Sequence, residues 1–131
     1  MASGGFTVLI VDDSSMFTQR VSRLLHDCDC NLHPVLQAHD YEKASEWLLK
    51  TKIDLVLLDI SLPGKSGIEL LKLIRKNYSA TKVLMISNHA NEYYKQACLS
   101  IGADDFFDKS LDFEQMTQKV QQLKNESFAG V

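Results

Sequence analysis

Four apolar runs in this 131-residue chain end in residues suited to phosphoryl chemistry. Val8-Leu9-Ile10-Val11 leads into Asp12 and Asp13, and Leu55-Val56-Leu57-Leu58 into Asp59. Val83-Leu84-Met85-Ile86 ends in Ser87, and Phe106-Phe107 runs through Asp108 to Lys109. Each residue alone has an ordinary role: aspartates after strands often cap helices, and a lysine suits a solvated loop. Four runs delivering such residues to one place is another matter. Three carboxylates in one cleft repel one another unless positive charge sits among them. Lys109 neutralises part of that charge. A small hard cation neutralises the rest, and Mg2+, held by carboxylates, waters and a phosphate, suits the inventory. A carboxylate is also a competent nucleophile toward a phosphoryl group, giving an acyl phosphate. The metal and Lys109 would stabilise charge on the phosphoryl oxygens, and Ser87 would hydrogen-bond the new phosphate. The pattern casts Asp59 as a phosphate-accepting nucleophile in a magnesium-dependent switch, not an enzyme acting on a separate substrate.

The elements that must position these residues follow from periodicity. Apolar, branched and aromatic stretches at 7–11, 35–38, 53–58, 83–86 and 106–107 predict strands. Most are apolar through successive residues, as in strands covered on both faces. Between them, helical spacing recurs in Phe17, Val21, Leu24 and Leu25, then Ala44, Trp47 and Leu48, then Ile68, Leu71 and Ile74. It returns in Tyr94, Ala97, Cys98 and Ile101, and again in Phe113, Met116, Val120 and Leu123. These stripes read as core. Ser66 with Glu69 forms a capping box, Asp112 caps the last helix with Leu111 stapling onto Met116, and Asp12 or Asp13 caps the helix near Ser14. Five strands alternating with five helices predict a doubly wound α/β fold with a parallel sheet and helices on both faces. Ligands then bind outside the carboxyl ends of the strands. Asp54, Asp104 and Asp105 precede their strands, so they belong to the opposite edge, as solvated or turn residues.

Composition sets the outer bounds. The length suits one domain at 6–126, with a loose tail at 1–5 and a C-terminal tail at 127–131. A net charge of −3 argues against a nucleic-acid surface. No stretch approaches the ~18 apolar residues of a membrane span. Met-Ala-Ser-Gly-Gly has neither the basic region nor the apolar run of a signal peptide, and the expected location is the cytoplasm. Cys28, Cys30 and Cys98 fit free thiols in a reducing compartment. A zinc site from His26, Cys28, Cys30 and His33 has poor spacing, and loop and core cysteines are preferred.

In these motifs the chain resembles the receiver domain of two-component response regulators, from about Phe6 to Lys124. They are Val-Asp12-Asp13-Ser, Leu-Leu-Asp59-Ile-Ser-Leu-Pro63-Gly-Lys-Ser-Gly67, Ile86-Ser87 and Phe106-Phe-Asp-Lys109. The resemblance implies a flavodoxin-like sheet of strand order 2-1-3-4-5. It implies that Asp59 takes a phosphoryl group from a histidine kinase or phosphotransfer protein. Asp13, Asp59 and the Ser61 carbonyl would hold Mg2+, with Asp12 contributing directly or through water, and Lys109 would pair with the phosphate. Ser87 and Phe106 match paired switch positions, the hydroxyl moving toward the phosphate and the ring turning inward. That would reshape the surface of the fourth helix, fifth strand and fifth helix, near Tyr93 and Tyr94, toward an unidentified output protein. Ser61-Leu-Pro63-Gly64 and Ser87-Asn88-His89 are similar to receivers of regulators that carry a LuxR-type helix-turn-helix; that module is not in this sequence, which is expected to be either a stand-alone receiver or a piece of a longer regulator.

Three departures stand out. Ser110 replaces the usual proline after the lysine, which could displace Lys109. Asn88 is larger than the usual alanine or glycine and would restrict access to Asp59. Ser61 and His89 occupy positions associated with phosphoryl lifetime; His89 reads as a loop histidine beside the site in preference to a general base. Other classes fit less well. A haloacid-dehalogenase-type phosphatase needs an acid where Ser61 stands, and a flavodoxin-like electron carrier would find its phosphate repelled by Asp12 and Asp13. A receiver that signals without phosphorylation is disfavoured by the intact acid trio, though Asn88 and Ser110 keep that alternative open.

Overall fold

The computed structural model describes residues 6–28, 35–88 and 91–129. Strands and helices alternate: β1 (Val8–Val11), α1 (Ser15–Cys28), β2 (Val35–Ala38), α2 (Tyr41–Lys50), β3 (Leu55–Asp59), α3 (Gly67–Asn77), β4 (Lys82–Ser87), α4 (Glu92–Ile101), β5 (Asp105–Asp108) and α5 (Phe113–Ala129). The five strands pair in parallel in the order β2-β1-β3-β4-β5, as expected. No described helix is long and apolar enough to cross a membrane.

The continuous apolar runs are explained by two cores. Leu9, Val11, Val56, Leu58, Val83 and Met85 point to one face, against Ala44, Leu48, Leu70, Leu71, Ile74 and Cys98 of α2, α3 and α4. Their immediate neighbours Val8, Ile10, Leu55, Leu57, Leu84 and Ile86 point to the other, against Val21, Leu25, Met116, Val120 and Leu123 of α1 and α5. Alternate residues serve opposite faces, so every position must be apolar. Two strands differ from their sequence pattern at the end that matters. β3 continues to Asp59, paired with Ile86, and β4 continues to Ser87, paired with Asp108. Both polar residues therefore belong to the sheet itself and inherit its fixed backbone.

Local polar bonds set where helices begin. Asp40, Ser66 and Asn91 each accept a backbone N–H three residues on, starting α2, α3 and α4. Ser14 caps α1 by accepting from Phe17 N at 3.2 Å. The start of α5 departs from expectation. The Asp112 carboxylate accepts from Asp108 N at 2.9 Å, while Asp108 Oδ1 accepts from Ser110 N and Leu111 N, both at 2.8 Å. The loop closes upon itself, and Leu111 is turned outward with 81% exposure instead of stapling onto Met116. α5 also runs past residue 126 to Ala129, helped by a Gln122–Glu126 hydrogen bond of 2.9 Å. The expected tail at 1–5 lies outside the described residues. At the opposite edge, Asp54 accepts from Thr7 N and Asp104 from Val83 N, each at 2.8 Å. These acids fasten neighbouring strand starts, a stronger role than solvated turn residues.

The start of α3 bears directly on Asp59. Gly67 N donates to Ile60 O at 2.8 Å, and a Cβ built on Gly67 would lie 2.0 Å from the Asp59 carbonyl oxygen. That neighbour is backbone within a sheet, so α3 would have to move. Gly67→Ala is expected to cost about 3 kcal/mol, the upper part of the usual range for overpacking. Denaturant unfolding measures this; a midpoint equal to the wild type would show that α3 packs less closely on β3.

Candidate functional site

The site stands at the carboxyl ends of β1, β3, β4 and β5. Asp12 leaves β1 with its N–H bonded to Ala38 O at 3.0 Å and its Oδ1 accepting from Ser14 N at 2.8 Å. It is fully buried. Asp59 is 4% exposed; its Oδ1 accepts from Ser61 N at 3.1 Å, and the following residue bonds through Ile60 N to Ile86 O at 3.2 Å. Asp13 is exposed on the solvent side. Ligand oxygens of Asp12, Asp13 and Asp59 lie within 4.8 Å of one another. Lys109 enters from the far side, its N–H bonded to Ser87 O at 3.0 Å. Its Nζ lies 2.7 Å from Asp12 Oδ2 and 3.6 Å from Asp59 Oδ2. At 2.7 Å the Asp12 contact is the closer of the two ion pairs.

The electrostatics show a surplus of negative charge. Burial pushes the Asp59 carboxyl from its ordinary 3.8 up to about 6. Repulsion by Asp12 adds to this, as does that of Asp13, while the Ser61 N–H and Lys109 oppose it. Lys109 behaves oppositely: burial alone would lower its pKa, but Asp12 and Asp59 hold it above the ordinary value. One ammonium is thus firmly charged, yet three acids beside it remain undercompensated. All-oxygen donors with unrelieved negative charge fit a hard divalent cation such as Mg2+.

Ser87 is buried one step beyond the Asp59–Ile86 pair. Phe106 is 6% exposed and packed in the core with Met85 and Cys98, so its ring already lies inward. With Ser110 following it, Lys109 reaches both acids, and the Asp108 carboxylate ties down the loop. Asn88 is exposed, as are Tyr93 and Tyr94, whose rings meet edge to face at 5.5 Å. His89, Cys30 and His33 lie outside the described residues, and Cys98 is a buried core thiol. Two neighbours have roles that the sequence does not reveal. Gly67 makes room for the Asp59 backbone, and the Phe17 ring lies 4.6 Å from Lys109 Nζ. Phe17 reads in sequence as one member of an apolar stripe, and nothing there signals a ring beneath an ammonium. A groove of about 700 Å³ between Leu48, Tyr78 and Asp54 opens at the opposite edge, and among the described residues it holds no comparable acid cluster.

The family model described as the response regulator receiver domain matches residues 8–121. The transcriptional regulatory protein CpxR of Escherichia coli (strain K12) is 33% identical over 120 residues, covering 92% of this chain and 50% of CpxR. The chain spans about half the length of the curated relatives it matches. Among solved structures, the Vibrio cholerae chemotaxis protein CheY4 is 28% identical with a TM-score of 0.81, over 92% of this chain and 99% of that one. A LuxR-family two-component response regulator from Aurantimonas sp. SI85-9A1 shares the fold, with a TM-score of 0.84 at 24% identity over 94% of this chain and 87% of that one. With the family match running across every strand of the sheet, the chain belongs to the response regulator receiver domains of two-component signalling.

Proposed function

We propose that Asp59 accepts a phosphoryl group from a histidine kinase or phosphotransfer protein in a phosphorelay, and that the phosphorylated chain signals in the cytoplasm by reshaping its α4-β5-α5 surface. The observation that carries this reading is Lys109 Nζ poised between Asp12 and Asp59 at 2.7 and 3.6 Å, with Asp13 completing the acid group. Asp13, Asp59 and the Ser61 carbonyl are the proposed ligands of Mg2+, with Asp12 direct or through water. Bound Mg2+ would supply neutralisation of charge on phosphoryl oxygens.

An Asp59 carboxylate oxygen attacks the phosphorus, the donor's phosphorus–nitrogen bond breaks, and the leaving nitrogen keeps the electron pair. Lys109, charged and buried, holds the attacking carboxylate and then pairs with the phosphate. The Ser87 hydroxyl hydrogen-bonds a phosphate oxygen. Its movement and the packing of Phe106 alter α4, β5 and α5, where Tyr93 and Leu111 stand exposed to an output protein. Ser61 and His89 tune the phosphate's lifetime. Self-phosphorylation from a small donor and self-dephosphorylation are the only chemistry assigned; neither nucleic acid nor membrane is a partner of this chain alone.

Beryllofluoride with Mg2+ mimics the acyl phosphate and is expected to perturb the NMR signals of Ser87 and Phe106. Asp59→Asn should abolish both that response and labelling by a small phosphodonor. A variant that still labels, or a wild type silent to Mg2+, would overturn the assignment.

The raised Asp59 pKa also predicts a pH signature. The folded chain holds this proton up to about pH 6, whereas the free carboxyl releases it near 3.8. The metal-free fold therefore loses stability as pH rises through that window, and nothing further above it. Asp59→Asn is expected to melt above wild type at neutral pH without metal, the difference closing below the ordinary carboxyl pKa. Mg2+ should raise the wild-type midpoint at neutral pH and leave that of the variant unchanged. Thermal melts across pH check both statements.

A further inference from the structure

Lys109 is held at its two ends by different devices. At the backbone, its N–H donates to Ser87 O, and the N–H groups of Ser110 and Leu111 both donate to Asp108 Oδ1. These bonds fix where the side chain begins. They leave a flexible four-carbon stem to be placed by contacts at its tip. Asp12 and Asp59 attract the ammonium from one side, at 2.7 and 3.6 Å. From another side it meets the Phe17 ring, with Nζ 4.6 Å from the centroid. That distance lies inside the range over which a ring's quadrupole attracts a cation.

Phe17 is itself supported. Phe113 meets it edge-on, with centroids 6.3 Å apart and ring planes at 81°. The guanidinium carbon of Arg20 lies 4.2 Å from the Phe113 centroid. A ladder of cation, ring, ring and cation thus runs from the lysine between α1 and α5 toward their outer faces.

We propose that Phe17 is a positioning residue for Lys109, seating its ammonium in the gap between Asp12 and Asp59 for phosphoryl transfer. The inference rests on the reading of Asp59 as phosphoacceptor. A ring suits the task better than a polar group would. An ammonium has three N–H donors and no acceptor. A hydroxyl or carboxamide beneath it would take one of those donors in a fixed direction. The ring attracts the charge across its whole face and leaves the donors for carboxylate and phosphoryl oxygens. The ammonium can then shift from carboxylate to phosphate with no directional bond to break on the ring side. Leucine would fill similar space but leave that side of a buried cation without compensation.

The test compares Phe17→Leu, Phe17→Tyr, Lys109→Ala and the double variant Phe17→Leu with Lys109→Ala. Readouts are beryllofluoride affinity in saturating Mg2+ and the rate of labelling by acetyl phosphate. A cation–π contact to a desolvated lysine corresponds to about threefold to thirtyfold in an equilibrium, and Phe17→Leu is expected to lose that much. Phe17→Tyr, which keeps the ring, should stay within about twofold of wild type. In the Lys109→Ala background, Phe17→Leu should add no further loss. The ε-methylene protons of Lys109 should carry an upfield ring-current shift in wild type and Phe17→Tyr that vanishes in Phe17→Leu; this needs neither metal nor phosphate.

Wild-type behaviour of Phe17→Leu would overturn the inference. So would an equal loss in Phe17→Tyr, or a loss that persists without Lys109, since either would mark Phe17 as packing alone. If the wild type takes up no beryllofluoride with Mg2+, the phosphoacceptor reading falls and the inference falls with it. Uptake by the wild type that Phe17→Leu matches removes the inference and leaves the reading standing.

Discussion

Like charges crowded at the end of a sheet are the constraint on which the rest of this structure turns. Asp12, Asp13 and Asp59 are brought together by strands whose own apolar residues leave no choice of position. A single buried ammonium holds the group together, and removing one partner of such a contact leaves an uncompensated charge away from water. The fold answers by fixing backbones near the charges. Asp12 is bonded through its N–H and its carboxylate, Lys109 is tied to β4, and Ile60 is tied to Ile86. The acids cannot move apart to relieve their repulsion. The raised Asp59 pKa is that unrelieved repulsion, together with burial, expressed as a proton affinity.

This arrangement leaves negative charge in surplus at the carboxyl edge of the sheet. A core built only for stability would leave out charges that repel. Here the two apolar cores on either face of the sheet carry the fold, and its carboxyl edge carries the strain. The division is visible in the acids themselves. Asp54 and Asp104, at the other edge, each accept a strand's N–H and so contribute to order. Among the described residues Asp59 accepts one backbone bond, from Ser61, and keeps its second oxygen toward Lys109.

Much of this was legible in the sequence, and the reasons differ by residue. Strands buried on both faces must be apolar throughout, so their runs are unmistakable, and the polar residue that ends each run marks the functional edge. Strand order and the acid trio follow from that logic with the motif resemblance. What escaped depends on side-chain direction. Asp112 has the right type and place to cap α5, yet its carboxylate turns back to Asp108 N, and Leu111 swings into solvent. Two nearby acids competed for the same N–H groups, and spacing alone does not rank them. Asp54 and Asp104 bond to strands distant in sequence, and Phe17 meets Lys109 across the sheet edge from another element. Such partners have no local signal.

Gly67 carries a consequence for how this chain can vary. It bears no charge, no hydroxyl and no side chain at all, yet the helix it begins rests against the peptide of Asp59. Any side chain there collides with the one backbone segment whose position the acid cluster depends upon. Evolutionary pressure on signalling would therefore be recorded at a residue that never touches metal or phosphate. In a survey of tolerated substitutions, Gly67 would be as invariant as the nucleophile, for reasons of space and not of reactivity.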